Sequence, residues 1–355
     1  MERPYLSNFS AIIADKKLSI RAYITELVQQ FESTTTDQIA TPIQSIGLFS
    51  KKYFIVKFKF LNSHSDVLFE KEFQTSNYGK LDISVPKFYN GQLIYSLKIY
   101  ETSYYPGVEV YLGSFLPIII QNPKKIVISD FDKTLVDTKY STPKEMYYSL
   151  NKPLTFFPTL NPSVDLLKEY IEKKFQPFIL SASPHFYEKS IRDWLYQNKI
   201  FASDIYLKDY RDFVSFFEGT MTTKDIKKQG YYKLSQLVDI ILMTGIPEEL
   251  VLLGDGFESD IFIYLILREL IVEHTDPWKL WKSIKNHSVF TLNSKQDSYF
   301  LTKFYRVSEL SKQSQVKEMK IYIRATEDNK EELQKMKFEH PHLIDDIKHI
   351  QFYTA

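Results

Sequence analysis

The chain has 355 residues and a net charge of +1, so its overall charge gives no reason to expect nucleic acid as a partner. With 44% hydrophobic and 25% charged residues, the composition is that of a globular protein long enough for two domains, which excludes a disordered chain. The sequence contains no cysteine, and this excludes disulfides, thiolate zinc sites and cysteine nucleophiles.

Residues 1–120 show the pattern of antiparallel strands. Apolar and polar side chains alternate in 53–61, 80–85 and 93–99, and turn-forming pairs such as Asn90-Gly91 separate these segments. Short strands at this spacing are typical of an antiparallel β-sandwich, which we predict for this region. The first residues lack the apolar core of a signal peptide and no apolar run approaches membrane-spanning length, so we expect a cytoplasmic protein.

Beyond Pro117, apolar runs of strand length alternate with helical patterns, and this alternation predicts an α/β domain with a parallel sheet over residues 121–355. The predicted strands lie at 126–128, 177–180, 205–207, 250–253, 320–323 and 350–352. Helices are predicted after an N-cap at Asn161, around 187–195, at 232–243 and at 329–337. We interpret residues 272–317 as an insertion, which contains Trp278, Trp281 and a short strand at 289–291.

The first strand of this domain ends on acidic residues. Asp130 and Asp132 follow the apolar run Ile126-Val127-Ile128, and the hydroxyl of Thr134 comes next. Carboxylates at the end of a buried strand are unfavourable unless a partner compensates them, and the usual partners are a divalent cation and a phosphoryl group. The alternative at this point is a strand that runs into an ordinary acidic turn.

Three later segments add polar residues in the same order as the strands. Ser181 follows the second strand, Lys233 begins the helix after the third, and Asp255 with Asp260 follow the fourth. The carboxyl ends of parallel strands meet at one edge of a sheet, where open α/β folds bind ligands, so we expect these residues to converge.

Each of these residues also has an ordinary structural interpretation. Ser181 could be a turn residue, and Lys233 could be one more surface lysine, easily confused with Lys227 or Lys228. Ser183 precedes a proline, so we interpret it as the N-cap of the next helix and not as a catalytic residue. Only the four motifs together favour phosphoryl chemistry.

Taken together, the motifs resemble those of the haloacid dehalogenase superfamily, and most of all the catalytic domain of the actin-patch-protein type of phosphatidate phosphatase. The resemblance rests on Leu180-Ser181-Ala182-Ser183-Pro184, on Lys233 ahead of Val251–Asp255, on Asp260 followed by Tyr264, and on Lys320-Ile321-Tyr322-Ile323-Arg324. It implies a Rossmann-like phosphatase domain with small cap elements, preceded by a β-rich region.

The resemblance also implies a role for each catalytic residue. Asp130 would be the nucleophile that forms an aspartyl-phosphate, and Asp132 the general acid and then base. Ser181 and Lys233 would bind the phosphoryl oxygens, with Thr134 fixing the phosphate-binding loop.

The metal implied by the resemblance is magnesium. Its ligands would be the Asp130 carboxylate, the Asp132 backbone carbonyl and Asp255, while Asp260 would orient these ligands without touching the ion. The expected reaction is therefore magnesium-dependent hydrolysis of a phosphate monoester.

The substrate that the resemblance implies is phosphatidate, and the alternatives are a soluble phosphate monoester or a non-catalytic scaffold that works through the β domain. A lipid substrate requires contact with a membrane surface, although the protein is expected to be cytoplasmic. The residues we consider for this contact are Lys51, Lys52, Lys57 and Lys59 of the β domain, and Trp278 and Trp281 of the insertion.

Overall fold

The computed structural model describes residues 2–28, 52–138, 152–208, 230–256, 259–287, 289–290, 294–325, 343 and 347–354. The chain divides into two compact units, Met1–Gln121 and Asn122–Ala355. Three of the lysines considered above and one predicted helix lie outside the described residues, namely Lys51, Lys227, Lys228 and the helix at 329–337.

The first unit consists of antiparallel sheets. Its strands are β1 (Glu2–Ala14), β2 (Lys17–Val28), β3 (Ile55–Leu61), β4 (Val67–Gln74), β5 (Lys80–Pro86), β6 (Phe88–Tyr89), β7 (Gln92–Leu93), β8 (Ser96–Glu101), β9 (Val110–Phe115) and β10 (Ile118–Ile119). One four-stranded sheet has the order β10-β1-β2-β5 and a second has the order β4-β3-β8-β9, while β6 and β7 form a separate hairpin.

The two four-stranded sheets share one hydrophobic core. In β3 every second residue is buried, so Phe58 and Phe60 face inward, and they join Leu18 and Ile20 of β2 in the same cluster of buried side chains. Alternation of this kind is what a sheet with one solvated face requires. The predicted β-sandwich is therefore confirmed, although the long hairpin of β1 and β2 was not identified strand by strand.

The lysines that we considered for membrane docking are paired with glutamates. Lys57 Nζ lies 2.8 Å from Glu109 and 3.0 Å from Glu70, and Lys59 Nζ lies 3.3 Å from the same Glu70. The hydrogen bond to Glu109 is the main cause that raises the pKa of Lys57 above its ordinary value. Lys52 is paired in the same way with Glu26. These three described lysines therefore present far less net charge to a membrane than their number suggests.

The second unit is built on a six-stranded parallel sheet of order β13-β12-β11-β14-β15-β16. Its strands are β11 (Lys125–Asp130), β12 (Gln176–Pro184), β13 (Asp204–Lys208), β14 (Glu249–Asp255), β15 (Glu318–Arg324) and β16 (Ile350–Tyr353). The α-helices in the described part of this unit are α1 (Asn161–Glu172), α2 (Glu188–Gln197), α3 (Gly230–Thr244), α4 (Asp260–Ile271), α5 (Pro277–Ile284) and α6 (Ser294–Ser311). The predicted α/β fold is confirmed.

The central strands are apolar along their length because helices cover the sheet on both faces. Residues 126–128 of β11 and 252–253 of β14 are completely buried. On one face α1 packs against the sheet, and the Tyr170 hydroxyl lies 2.8 Å from that of Tyr322 on β15. This contact fixes which face of β15 looks toward α1.

Three local predictions are wrong. The N-cap of α1 is Leu160, and Asn161 is the first helical residue, with no side-chain capping bond. Residues 289–290 lie outside any strand, whereas we predicted a strand there. The third concerns the N-cap assigned to Ser183, since the N-cap of α2 is Tyr187.

The segment 272–317 is more regular than its sequence suggested, because α5 and α6 occupy most of its described part. Trp281 is buried and its ring centroid lies 4.7 Å from that of Phe300 on α6, so it belongs to the core. Trp278 is 48% exposed, and Lys282 Nζ lies 4.7 Å from the centre of its ring. Of the two tryptophans, Trp278 alone is available for contact with a membrane.

Candidate active site

Asp130 is the last residue of β11, a central strand of the parallel sheet, and is fully buried. Its Oδ1 lies 2.9 Å from Lys233 Nζ, and its Oδ2 accepts a hydrogen bond of 3.0 Å from the Thr134 hydroxyl. Thr134 belongs to the turn that directly follows β11, so the loop itself holds the carboxylate. An ion pair and a hydrogen bond of this kind offset the unfavourable burial of the charge.

Lys233 joins two carboxylates that lie on different elements. It sits in the first turn of α3 with 1% exposure, and its Nζ lies 2.8 Å from Asp260 Oδ1 as well as 2.9 Å from Asp130 Oδ1. Asp260 is the first residue of α4, 27 positions further along the chain. The predicted convergence of β11, α3 and the end of β14 is thus present in the structure.

Asp130, Asp255 and Asp260 form a compact buried group. Each offers a carboxylate oxygen, and these oxygens lie within 4.8 Å of one another. The second oxygen of Asp260 accepts a hydrogen bond of 3.1 Å from the Asp255 backbone N–H, which links the two residues. Clustered carboxylates with no sulfur or imidazole ligand are the donor set that a hard divalent cation prefers, so the group fits magnesium chemically.

Gly254 makes this close approach between β14 and α4 feasible. A Cβ added at this glycine would lie 2.5 Å from Asp260 Oδ2 and 2.9 Å from the Asp260 Cβ. Tyr264, one turn further along α4, donates its hydroxyl to the Leu253 carbonyl at 2.9 Å. Burial is the main cause that raises the pKa of this tyrosine, with Asp260 adding to it, so its hydroxyl stays protonated and keeps the donor role.

Asp132 is held by three hydroxyl groups. Its Oδ2 accepts hydrogen bonds from Ser181 at 2.6 Å and from Ser183 at 2.9 Å, and its Oδ1 accepts one from Thr138 at 3.1 Å. The orientation of the Asp132 carboxylate is therefore fixed by residues of two segments, the end of β12 and the loop after β11. We had predicted Ser183 as a helix N-cap, but its side chain instead contacts Asp132, a candidate catalytic residue 51 positions away.

Arg324 and Tyr353 lie at the same edge of the sheet, although neither was among the predicted site residues. Asp255, Arg324 and Tyr353 are paired in register across β14, β15 and β16, so they form one row at the carboxyl edge. Tyr353 is half-buried, and its hydroxyl lies 2.9 Å from that of Ser163 in the first turn of α1. The sequence signal for this row was the carboxyl-edge rule itself, applied to the last two strands.

Among the described residues, none of the helices combines the length and the apolar character that a membrane span requires.

Comparison with known proteins gives one informative match. Residues 125–277 match the family model described as phosphatidate phosphatase APP1, catalytic domain. No curated protein matches the chain. The matched range contains Asp130, Asp132, Ser181, Lys233 and the Asp255–Asp260 segment, and it ends before β15.

Matches to solved structures are distant. A calcium-binding mutant of β-glucuronidase 2 from Bacteroides uniformis shares 8% identity at a TM-score of 0.27, with 98% of this chain and 41% of that one covered. A glycosyl hydrolase family 2 member from Bacteroides cellulosilyticus shares 10% identity at a TM-score of 0.23, with 99% and 44% covered. The chain thus spans less than half of the length of these structures.

The family match and the parallel α/β fold agree with each other, and the residues that we selected from the sequence lie inside the matched range. Four of them, Asp130, Lys233, Asp255 and Asp260, meet in one buried cluster. Residues 125–277 are therefore similar to the catalytic domain of phosphatidate phosphatase APP1, a family of phosphoric monoester hydrolases.

Proposed function

We propose that residues 121–355 hydrolyse a phosphate monoester through an aspartyl-phosphate on Asp130, by the chemistry of the haloacid dehalogenase superfamily, and that the substrate is phosphatidate. The observation that carries this proposal is the buried constellation of Asp130, Lys233 and Asp260, in which Lys233 lies within 2.9 Å of both carboxylates. A single lysine shared between two buried carboxylates supports the proposal, because its positive charge would offset that of a phosphoryl group next to the nucleophile.

Asp130 acts as the nucleophile in this proposal. Its carboxylate oxygen attacks phosphorus, the bond to the leaving oxygen breaks, and the phosphoryl group becomes attached to Asp130. The ion pair with Lys233 and the hydrogen bond from Thr134 support this role, because both stabilise the ionised form that is able to attack. Water then attacks the phosphorus of the aspartyl-phosphate, which releases inorganic phosphate and regenerates the carboxylate.

Asp132 is proposed to give a proton to the leaving oxygen and later to take one from the attacking water. The hydroxyls of Ser181, Ser183 and Thr138 support this role since they fix the orientation of its carboxyl group. Ser181 ends its strand beside Asp132, and in this proposal its hydroxyl donates to a phosphoryl oxygen when substrate binds. Thr134 and Lys233 complete the phosphate-binding set.

Magnesium is the proposed cofactor. Asp130 and Asp255 would hold it together with the Asp132 backbone carbonyl, and Asp260, whose oxygens already bind Lys233 and the Asp255 N–H, would orient Asp255. When bound, the ion neutralises charge on the phosphoryl oxygens and the clustered carboxylates.

Phosphatidate is proposed because the matched family carries that substrate in its description. Such an enzyme would be cytoplasmic and would bind peripherally to a membrane, with residues 1–120 or the insertion at 272–317 making the contact. The alternatives are a soluble phosphate monoester, or a scaffold that works through the β domain. The paired lysines of the β domain weaken the case for a purely electrostatic docking site there.

The test is phosphate release from phosphatidate in mixed micelles and from a panel of soluble monoesters, each with and without magnesium. The proposal expects turnover that requires magnesium and is fastest with phosphatidate. Faster turnover of a soluble monoester would identify that compound class as the substrate in place of phosphatidate, while the proposed hydrolysis would stand. Absence of turnover on every substrate would favour the scaffold.

A further inference from the structure

A row of three side chains extends the candidate active site beyond the range of the family match. Asp255, Arg324 and Tyr353 are neighbours in register on β14, β15 and β16. Adjacent strands of a sheet lie about 4.8 Å apart, and residues paired in register on parallel strands project to the same face. Arg324 is thus the immediate neighbour of a carboxylate in the candidate metal cluster.

Contacts with α1 identify the face to which this row belongs. Tyr322 lies two residues before Arg324 on β15 and contacts Tyr170 of α1, while Tyr353 contacts Ser163 at the start of the same helix. Side chains two apart in a strand share a face, so Arg324 lies on the α1 face between these two contacts. The N-terminus of α1 lies at the same edge, since its Ser163 is bonded to Tyr353.

The charges of Arg324, Asp255 and Asp130 all affect the pKa of the Tyr353 phenol. Burial raises its pKa most, the Ser163 hydrogen bond and the Arg324 charge lower it, and the carboxylates of Asp255 and Asp130 raise it. Arg324 and the acidic cluster therefore act on a common region at the carboxyl edge. In that region Lys233 already pairs with Asp130 and Asp260, and a phosphate dianion brings two further negative charges.

We propose that Arg324 binds a non-bridging oxygen of the substrate phosphate, from the side of Asp255 that faces β15. Guanidinium groups suit this task because their planar array of N–H donors matches the geometry of phosphate oxygens and stays charged at every working pH. Ser181 on β12 and Arg324 on β15 would then hold the phosphate from opposite sides of the two central strands. This inference rests on the proposed phosphatase activity and adds a substrate-binding residue to it.

The experiment compares the full-length parent with Arg324→Lys, Arg324→Ala and Lys320→Ala. Lys320 lies on the same strand nearer its amino end and pairs with Glu318 at 3.0 Å. Lys320→Ala therefore removes one positive charge, as Arg324→Ala does, but at a position distant from the carboxyl edge. For each protein we would measure thermal unfolding, the Kd for inorganic phosphate with magnesium by calorimetry, and kcat and KM on p-nitrophenyl phosphate.

Arg324→Ala is expected to raise the phosphate Kd and the KM about ten- to a hundredfold, the range for one charge-assisted hydrogen-bonding group, with a smaller effect on kcat. Arg324→Lys should recover part of the loss, and added guanidinium should partly restore Arg324→Ala, which a purely structural defect would not allow. Lys320→Ala should stay within about twofold of the parent, in line with other exposed ion pairs.

Unchanged phosphate affinity in both Arg324 variants would overturn the inference, as would an equal loss in Lys320→Ala or a parent that binds no phosphate. If Arg324→Ala does not fold, Arg324→Lys carries the comparison, with an expected loss of about three- to tenfold at an unchanged unfolding midpoint. A parent that binds phosphate but hydrolyses nothing would refute the proposed function, while the phosphate affinities would still decide the role of Arg324.

Discussion

Asp130 is the residue on which the proposed reaction depends. Asp130→Asn keeps the shape of the side chain and leaves Lys233 paired with Asp260, so the fold should persist. The amide cannot attack phosphorus, and we expect kcat for any phosphate monoester to fall by at least about a thousandfold. Phosphate release and thermal unfolding measured on the same sample would check both parts.

The matched control for this change is Asp165→Asn, which alters an exposed carboxylate on α1. It should leave both activity and the unfolding midpoint unchanged. If Asp130→Asn kept activity within about tenfold of the parent, another group would have to be the nucleophile.

Ser183 is the residue for which local sequence reasoning was least informative. Its hydroxyl donates to Asp132 together with that of Ser181, and hydrogen bonds to buried charged groups are worth about 1.5–3 kcal/mol. Ser183→Ala should therefore lower the free energy of unfolding by an amount in this range and reduce turnover, because Asp132 loses one of its orienting contacts.

Urea denaturation and steady-state kinetics would test this expectation, with Ser298→Ala on an exposed position of α6 as the control. Equal stability of the parent and Ser183→Ala would show that the hydroxyl contributes nothing to holding Asp132. A capping role would instead predict loss of helix content in α2 with no change at the active site.

The crossing of β14 and α4 depends on the absence of a side chain at Gly254. Gly254→Ala would bring a methyl group to 2.5 Å from Asp260 Oδ2 and 2.9 Å from Tyr264 Cε2. Overpacking of this kind lowers the free energy of unfolding by about 1–3 kcal/mol. The strain would fall on Asp260, which binds Lys233 and the Asp255 N–H.

We therefore expect Gly254→Ala to show the same kinetic defect as Asp260→Asn, in addition to a lower unfolding midpoint. Magnesium titration of activity would compare the two variants. Full activity of Gly254→Ala with an unchanged midpoint would mean that α4 moves away without disturbing the carboxylates.

At the level of strands and helices, the sequence predicts well what is local and poorly what depends on distant partners. The central strands β11 and β14 were predicted because both of their faces are buried, which leaves continuous apolar runs such as 126–128. The contact of Ser183 with Asp132 and the pairing of Lys57 with Glu109 join segments about fifty residues apart, and no local pattern encodes them. The same limit applies to Trp281, whose burial depends on α6.

The site itself was predictable because the carboxyl edge of a parallel sheet collects the residues that end its strands. Asp130, Ser181 and Asp255 were selected on this basis and Lys233 from the order of the four motifs, and the structure brings all four to one end of the sheet. The roles assigned to them remain proposals.

For the molecule as a whole, the question is how a protein with a net charge of +1 would reach a lipid substrate. Lys52, Lys57 and Lys59 carry glutamate partners, so their attraction to an anionic leaflet is largely offset. Trp278 is 48% exposed beside Lys282, a combination suited to the headgroup region. We expect the full chain to bind phosphatidate-containing vesicles with only weak dependence on salt.

Vesicle flotation at low and high salt would measure this binding for the parent, Trp278→Ala and Lys59→Gln. Loss of a half-exposed indole that inserts into the interface should weaken binding by on the order of tenfold, whereas Lys59→Gln should change it by less than about twofold, because Glu70 already compensates that charge. A steep fall of binding with salt and with Lys59→Gln would restore the β domain as an electrostatic docking surface. If the parent does not float with phosphatidate vesicles at low salt, a soluble phosphate monoester becomes the better substrate for the same catalytic residues.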